Sequence, residues 1–293
     1  MEKEKGESMV LDESFELYNG VTIPKIGLGT WFIDDDKAAQ AVKAAVEIGY
    51  RHFDTAEAYG NERGVGEGVR GCGLSREKLF VTSKLAAEAK DYASAVKAID
   101  ETLRKMNIDY LDLMLIHSPQ PWKDFRGGDY AEGNREAWRA MEDSYRAGKL
   151  RAIGVANFKE NDLKNLTDHG MTKPMVNQLL VHISNVPSDL IHYCQDNDIL
   201  VEGYSPVAHG AILKNPEIVE MADKYGVSVA QLCIRFDLQL GALPLPKTAN
   251  LEHMKENAAV DFEISDEDMQ RLQNIEHIKD YGEFSHFPVF SGK

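Results

Sequence analysis

From Ile26 onward, short apolar runs alternate with stretches in which apolar residues return at helical spacing. The runs fall near Ile26–Gly29, Arg51–Asp54, Leu79–Lys84, Leu111–His117, Ala152–Ala156, Met175–Leu179, Ile199–Tyr204 and Ala242–Pro246, and each reads as a strand. Among the intervening segments, Lys37–Ile48 is amphipathic. Ala93–Met106 carries Val96, Ile99, Leu103 and Met106 on one face, and Asn134–Ala147 carries Ala137, Trp138, Met141 and Tyr145. Gly49, Gly148, Gly170 and Gly226 mark helix stops. Eight β/α units in 293 residues predict an α/β fold, a closed parallel (β/α)8 TIM barrel rather than an open doubly wound sheet.

Three stretches stand outside the repeat. Phe15–Tyr18, Asn19-Gly20 and Val21–Ile23 predict a β-hairpin cap, with Asn-Gly suited to a type I′ turn. Ser118–Gly133, with Pro119, Pro121, Trp122, Phe125 and Gly127-Gly128, is long for a βα loop and is expected to face a substrate. After the helical run Ile264–Ile275, the aromatics Tyr281, Phe284, Phe287 and Phe290 predict a tail docked over the barrel mouth. The expected organisation is a solvated tail over 1–13 and a single barrel domain over 14–293, with 277–293 as a C-terminal substrate loop.

Composition narrows the function. Thirty-three basic against 48 acidic residues leave a net charge of -15, which disfavours nucleic-acid and anionic-membrane partners. Cys72, Cys194 and Cys233 form no CxxC pair, so neither a disulfide framework nor a zinc site is expected. The charged N-terminus lacks an apolar targeting segment, and no run is long enough to span a bilayer, so a cytoplasmic protein is expected.

In a barrel of this kind the site lies at the carboxyl ends of the strands. Asp54, Lys84 and His117 each close a predicted strand, and Tyr59 follows Asp54 by one turn. An ammonium beside a phenol favours the phenolate and lowers the phenol pKa, while a carboxylate keeps the ammonium charged. Tyr59 can then act as a general acid toward a carbonyl oxygen, with His117 binding that oxygen or assisting proton exchange. A hydride donor carries phosphates, and the end of the last strand offers Lys247 and Thr248 before Asn250, a predicted helix N-cap. Gly64-Val-Gly66-Glu-Gly68 misses the dinucleotide spacing and reads as helix packing. His182, His192 and His209 lack metal-ligand spacing, and no metal is expected.

With these residues in place, the chain resembles the aldo-keto reductase superfamily from about Phe15 to His277. The resemblance rests on Gly27–Trp31, His52–Glu62, Leu113–Pro119, Gly154–Phe158, Asn177-Gln178 and Pro246-Lys247, and is strongest to bacterial diketogluconate and methylglyoxal reductases. It implies a catalytic tetrad of Asp54, Tyr59, Lys84 and His117. It implies a cofactor site of Gly29, Thr30, Trp31, Asn157, Gln178, Tyr204, Ser205, Pro206, Val207, Lys247, Thr248, Asn250, His253, Glu256 and Asn257. Within it, Asn157 and Gln178 hold the nicotinamide carboxamide and Tyr204 stacks on the ring. Trp31, Trp122 and Phe125 would line the carbonyl pocket. Three positions depart from the family pattern: Ala156 stands where Ser is usual, Ser118 where Trp often follows the histidine, and His253 where Arg commonly grips the 2′-phosphate. The reading is therefore a monomeric NAD(P)H-dependent reductase of aldehydes and ketones, with NADP(H) expected and NAD(H) an alternative. Two other readings are a cofactor-binding sensor or regulatory subunit and a Schiff-base aldolase built on Lys84.

Overall fold

The computed structural model describes residues 9–291. An antiparallel pair, β1 (Ser14–Glu16) and β2 (Thr22–Pro24), precedes eight parallel strands. These are β3 (Leu28–Gly29), β4 (His52–Asp54), β5 (Phe80–Leu85), β6 (Leu111–Ile116), β7 (Leu150–Ala156), β8 (Val176–Leu180), β9 (Leu200–Tyr204) and β10 (Ala242–Leu245). Each pairs with the next in chain order. The seam closes where Gly27 and Gly29 donate backbone N–H bonds to Pro244 and Pro246 at 3.2 and 3.0 Å, with a parallel bridge from Gly29 to Lys247. The glycine is needed at Gly27, because a Cβ there would lie 2.6 Å from both His52 Nδ1 and Leu245 Cδ2. The eight strands thus make the closed barrel that the alternation predicts.

The strands read as apolar runs because both of their faces are covered. Every residue of β5 and β6 is buried. Helices α1 (Asp35–Ile48), α2 (Glu62–Gly71), α3 (Tyr92–Met106), α4 (Ala131–Arg146), α5 (Glu160–Thr167) and α6 (Ser188–Asp196) follow β3 to β8 in turn. Two helices, α7 (Pro216–Tyr225) and α8 (Val229–Gln239), separate β9 from β10, and α9 (Leu251–Ala258) and α10 (Asp266–Gln273) follow β10. The Gly64 to Gly68 motif lies in α2 and lets it approach its neighbours closely. A Cβ on Gly64 would sit 2.0 Å from the Asp35 carbonyl oxygen, and one on Gly66 would sit 2.3 Å from that of Met106.

The hairpin differs from expectation in its turn. Asn19 does not take positive φ; Gly20 does, at 82°. The Gly20 N–H donates to Leu17 O and the Leu17 N–H to Val21 O, which makes a three-residue loop with a glycine bulge instead of a type I′ turn. Asn19 serves as an anchor instead, its Nδ2 donating to Arg151 O at 3.0 Å and tying the hairpin to the start of β7. The hairpin therefore caps the amino end of the barrel, opposite the site.

The solvated tail also needs correction at its inner end. Val10 is buried and donates its N–H to Asp261 Oδ1 at 2.7 Å, so the packed chain begins before Ser14; the remainder of that tail, residues 1–8, lies outside the described residues. Among the described residues no helix is long and apolar enough to cross a membrane.

Candidate active site

Three strand ends and one turn converge at the carboxyl mouth of the barrel. Asp54 ends β4, Lys84 is the penultimate residue of β5, and His117 follows β6. Tyr59 ends a 3-10 turn over Glu57–Tyr59. That turn is fixed from behind by Asn61, which is buried. Asn61 accepts from Thr55 Oγ1 at 2.6 Å and donates Nδ2 to Thr30 O and Ile33 O at 2.9 and 2.8 Å. One amide thereby locks the β4 turn to the loop carrying Trp31.

Lys84 is fully buried, and each of its three N–H groups is engaged. It donates to Asp54 Oδ1 at 2.6 Å, to Thr55 O at 2.9 Å and to the Tyr59 hydroxyl at 3.3 Å. Burial acts to discharge the amine, but Asp54 and Tyr59 together outweigh it and hold Lys84 above the usual lysine range. A Schiff-base nucleophile needs a neutral amine open to substrate, so this environment speaks against the aldolase reading. Because Lys84 donates to the phenol oxygen, the Tyr59 proton is left to point elsewhere.

The expected depression of the Tyr59 pKa is not what results. Lys84 does lower it, but burial is the larger effect and Asp54 adds to it, so the phenol lies above its ordinary range. At neutral pH Tyr59 is a protonated donor beside a cation. His117 is held well below the usual imidazole range by burial, then by the charges of Lys84 and Lys90, and is neutral. Its ring meets Tyr59 and Trp122 edge-on, with centroids 5.7 and 4.9 Å away.

These groups open on a cavity of about 700 Å³, the size of a cofactor or drug-like ligand. Asp54, Tyr59 and His117 line it, as do Gly29, Thr30, Trp31, Asn157, Gln178, Tyr204, Ser205, Pro206, Val207 and Lys247. Trp122 lies on its wall. Phe125 does not: it is buried behind Trp122 with ring centroids 5.9 Å apart. Thr248, Asn250, His253, Glu256 and Asn257 lie beyond the lining, at and along α9. Asn250 does cap that helix, its Oδ1 accepting from the N–H groups of Glu252 and His253 at 2.9 and 3.1 Å. His253 is exposed.

The polar lining offers hydrogen-bonding groups to a nicotinamide cofactor. Gln178 Nε2 donates to Asp54 Oδ2 and Glu202 Oε2 at 2.9 and 2.7 Å, leaving the amide oxygen for a ligand. Asn157 takes positive φ, 62°, which an asparagine tolerates, and its Oδ1 accepts from Tyr204 Oη at 2.7 Å. Lys247 forms no ion pair among the described residues and supplies a cation at the cavity in a chain of net charge -15. The residues present fit the group. Among the described residues no cluster of three or more His, Cys, Asp or Glu could hold a metal ion.

The tail docks over this cavity, with Phe284, Phe287, Pro288 and Val289 on the wall. His209, grouped by sequence with histidines of no special role, stacks on Phe284 at 4.0 Å and reaches Ser205 Oγ at 3.2 Å. Phe32, Leu213 and Leu245 also line the cavity and were not legible as site residues. Only the position of Phe32 beside Trp31 gave a signal.

Comparison with known proteins adds an independent line. The model of the aldo/keto reductase family matches residues 25–277. The chain is 42% identical over 265 residues to the uncharacterized oxidoreductase YtbE of Bacillus subtilis, covering 88% of this chain and 91% of that one. It is 40% identical over 267 residues to glyoxal reductase of the same organism, covering 90% and 93%. Among solved structures, an aldo/keto reductase from Brucella melitensis superposes with TM-score 0.82 at 35% identity, covering 90% of this chain and 99% of that chain. A Bombyx mori aldo-keto reductase in complex with NADP gives TM-score 0.83 at 31% identity, covering 95% and 98%.

Proposed function

The chain belongs to the aldo/keto reductase family, and from that premise we propose that Tyr59 protonates the carbonyl oxygen of aldehydes and small dicarbonyl compounds in this cavity. Membership makes the protein an NAD(P)H-dependent oxidoreductase acting on carbonyl groups, with NADP(H) as its cofactor. The observation that carries the residue assignment is the Lys84 ammonium, held 2.6 Å from Asp54 and 3.3 Å from the Tyr59 oxygen.

The reduced nicotinamide, when bound, supplies the hydride that reaches the carbonyl carbon. Asn157 and Gln178 would hold its carboxamide, Tyr204 its ring, Ser205, Pro206 and Val207 its pyrophosphate, and Lys247 with Thr248 its adenosine phosphate. The protein's own part is proton delivery. Tyr59 donates to the substrate oxygen as negative charge grows there, and Lys84 stabilises the phenolate that remains. Asp54 keeps Lys84 charged and aimed. His117 is neutral and can therefore donate one hydrogen bond to the same oxygen, fixing which face of the carbonyl is presented. Trp31, Trp122 and the tail aromatics exclude water and favour compact substrates.

The dicarbonyl preference draws support from the glyoxal reductase relative. NADP(H) binding is supported here by Lys247, while His253 offers a weaker 2′-phosphate partner than an arginine and leaves room for NAD(H). Free Cys72, Cys194 and Cys233 fit a reducing cytoplasm, and the proposed assembly is a monomer. Oxidation of NADPH and NADH should be followed with glyoxal, methylglyoxal, aldoses, aromatic aldehydes and ketosteroids. Higher kcat/KM for the dicarbonyls with NADPH is expected; preference for ketosteroids or aldoses would overturn the substrate assignment.

A further inference from the structure

Beneath Asp54 the barrel floor holds a second carboxyl that proton delivery does not use. Glu202, in the middle of β9, is completely buried. The groups facing it are His52 and Asp54 from β4, Lys84 from β5 and Gln178 from β8. A buried carboxyl is costly unless it is bonded, yet among the described residues Oε1 has no hydrogen-bond partner. The His52 ring approaches that oxygen to 3.9 Å, but burial and the Lys84 charge hold His52 down to about 3, so the contact is not an ion pair. Among the described residues Oε2 has one partner, Gln178 Nε2.

That partner is the reason the carboxyl matters. Gln178 Nε2 has two hydrogens and meets two acceptors, Asp54 Oδ2 at 2.9 Å and Glu202 Oε2 at 2.7 Å. Reversing the amide would set its oxygen against the Asp54 carboxylate. One acceptor alone would leave the amide plane free to turn about that bond; two acceptors fix both its sense and its plane. We infer that Glu202 is a positioning residue which, together with Asp54, clamps the Gln178 amide with its oxygen toward the cavity, ready to accept an N–H from the nicotinamide carboxamide. The inference rests on the proposed role of Gln178 and adds a residue that touches neither cofactor nor substrate. Burial, and then the Asp54 charge, push Glu202 up to about 8. A carboxyl protonated on Oε1 still presents Oε2 as an acceptor, so the clamp works at neutral pH without a second negative charge beside Asp54.

The test uses a ligand that lacks the hydrogen in question. Reduced 3-acetylpyridine adenine dinucleotide phosphate replaces the carboxamide NH2 by a methyl group. Dissociation constants for it and for NADPH are measured by protein fluorescence titration on the full chain, its Gln178→Leu variant, and Glu202→Gln and Glu202→Leu. The wild type should favour NADPH by about tenfold, the worth of one hydrogen bond. Glu202→Gln, which can still offer an amide oxygen to Gln178, should keep that ratio within about twofold. Glu202→Leu should bring it close to that of Gln178→Leu. If Glu202→Leu does not fold, Glu202→Met, a flexible apolar chain of similar length, carries the same expectation. A wild-type ratio in the apolar Glu202 variant, with the ratio lost in Gln178→Leu, overturns the clamp and leaves the role of Gln178 standing. A wild-type ratio in Gln178→Leu overturns both.

Discussion

Replacing Lys84 by methionine removes the cation at the centre of the site while keeping most of the volume of its stem. Three hydrogen bonds disappear, at 2.6, 2.9 and 3.3 Å, and Asp54, whose side chain is 5% exposed, is left with Gln178 as its remaining side-chain donor. Removing one partner from a buried pair costs about 3–5 kcal/mol, because the other charge stays out of water without compensation. For a chain of this size that corresponds to a fall in Tm of roughly 5–8 °C. The origin of the loss can be separated from general disruption. Asp54→Asn alone leaves Lys84 unpaired and should cost a similar amount, but the double variant Asp54→Asn/Lys84→Met buries no unpaired charge. It should lose at least about 2 kcal/mol less than the sum of the single losses. Thermal unfolding by circular dichroism, with urea titration at one temperature, reads all four proteins. Additive losses, or a cost for Lys84→Met below about 1 kcal/mol, would refute the pairing argument.

Further expectations follow from burial elsewhere. His52 and His182 are both pushed down to about 3 by burial, so between about 6.5 and 3 the unfolded chain binds protons that the folded chain does not. Their share of stability is therefore lost as pH falls through that window, at about 1.4 kcal/mol per pH unit for each ring. His182→Gln should flatten the slope of unfolding free energy against pH by about that amount, and an unchanged slope between pH 6 and 4.5 would contradict it. Gly66→Ala sets a methyl group 2.3 Å from the Met106 carbonyl oxygen and should cost about 1–3 kcal/mol, read as a lower urea midpoint with unchanged m-value. Trp122→Ala opens the wall against which His117 packs at 4.9 Å, and should raise KM for small carbonyls while leaving the NADPH dissociation constant unaltered.

What could be read from the sequence follows how local each signal is. The eight strands were legible because burial on both faces turns each into an apolar run, and their ends matched to within about two residues. Asp54, Lys84 and His117 stood out because ionisable groups at the ends of such runs are unusual, and Tyr59 because it follows Asp54 by one turn. The hairpin turn was misread because Asn-Gly suits two different loops, and in the one adopted Asn19 reaches the Arg151 carbonyl across the barrel end. Phe125 was placed in the pocket by the family resemblance; the path of its loop turns it behind Trp122. His209 and Glu202 were not read as site residues, for opposite reasons. One is brought to the cavity by a tail some 75 residues further along the chain, and the other looks like an ordinary strand acid until β4, β5 and β8 close around it.

The measurement that bears most directly on the account is turnover by Tyr59→Phe, taken together with its NADPH dissociation constant on the same preparation. The variant keeps the ring that lies 6.2 Å from Trp31 and loses only the hydroxyl beside Lys84. The account predicts a kcat for methylglyoxal reduced by about 10²–10⁴, the worth of a positioned general acid, with NADPH affinity within about twofold of wild type. A kcat within about tenfold of wild type would show that the proton comes from another group.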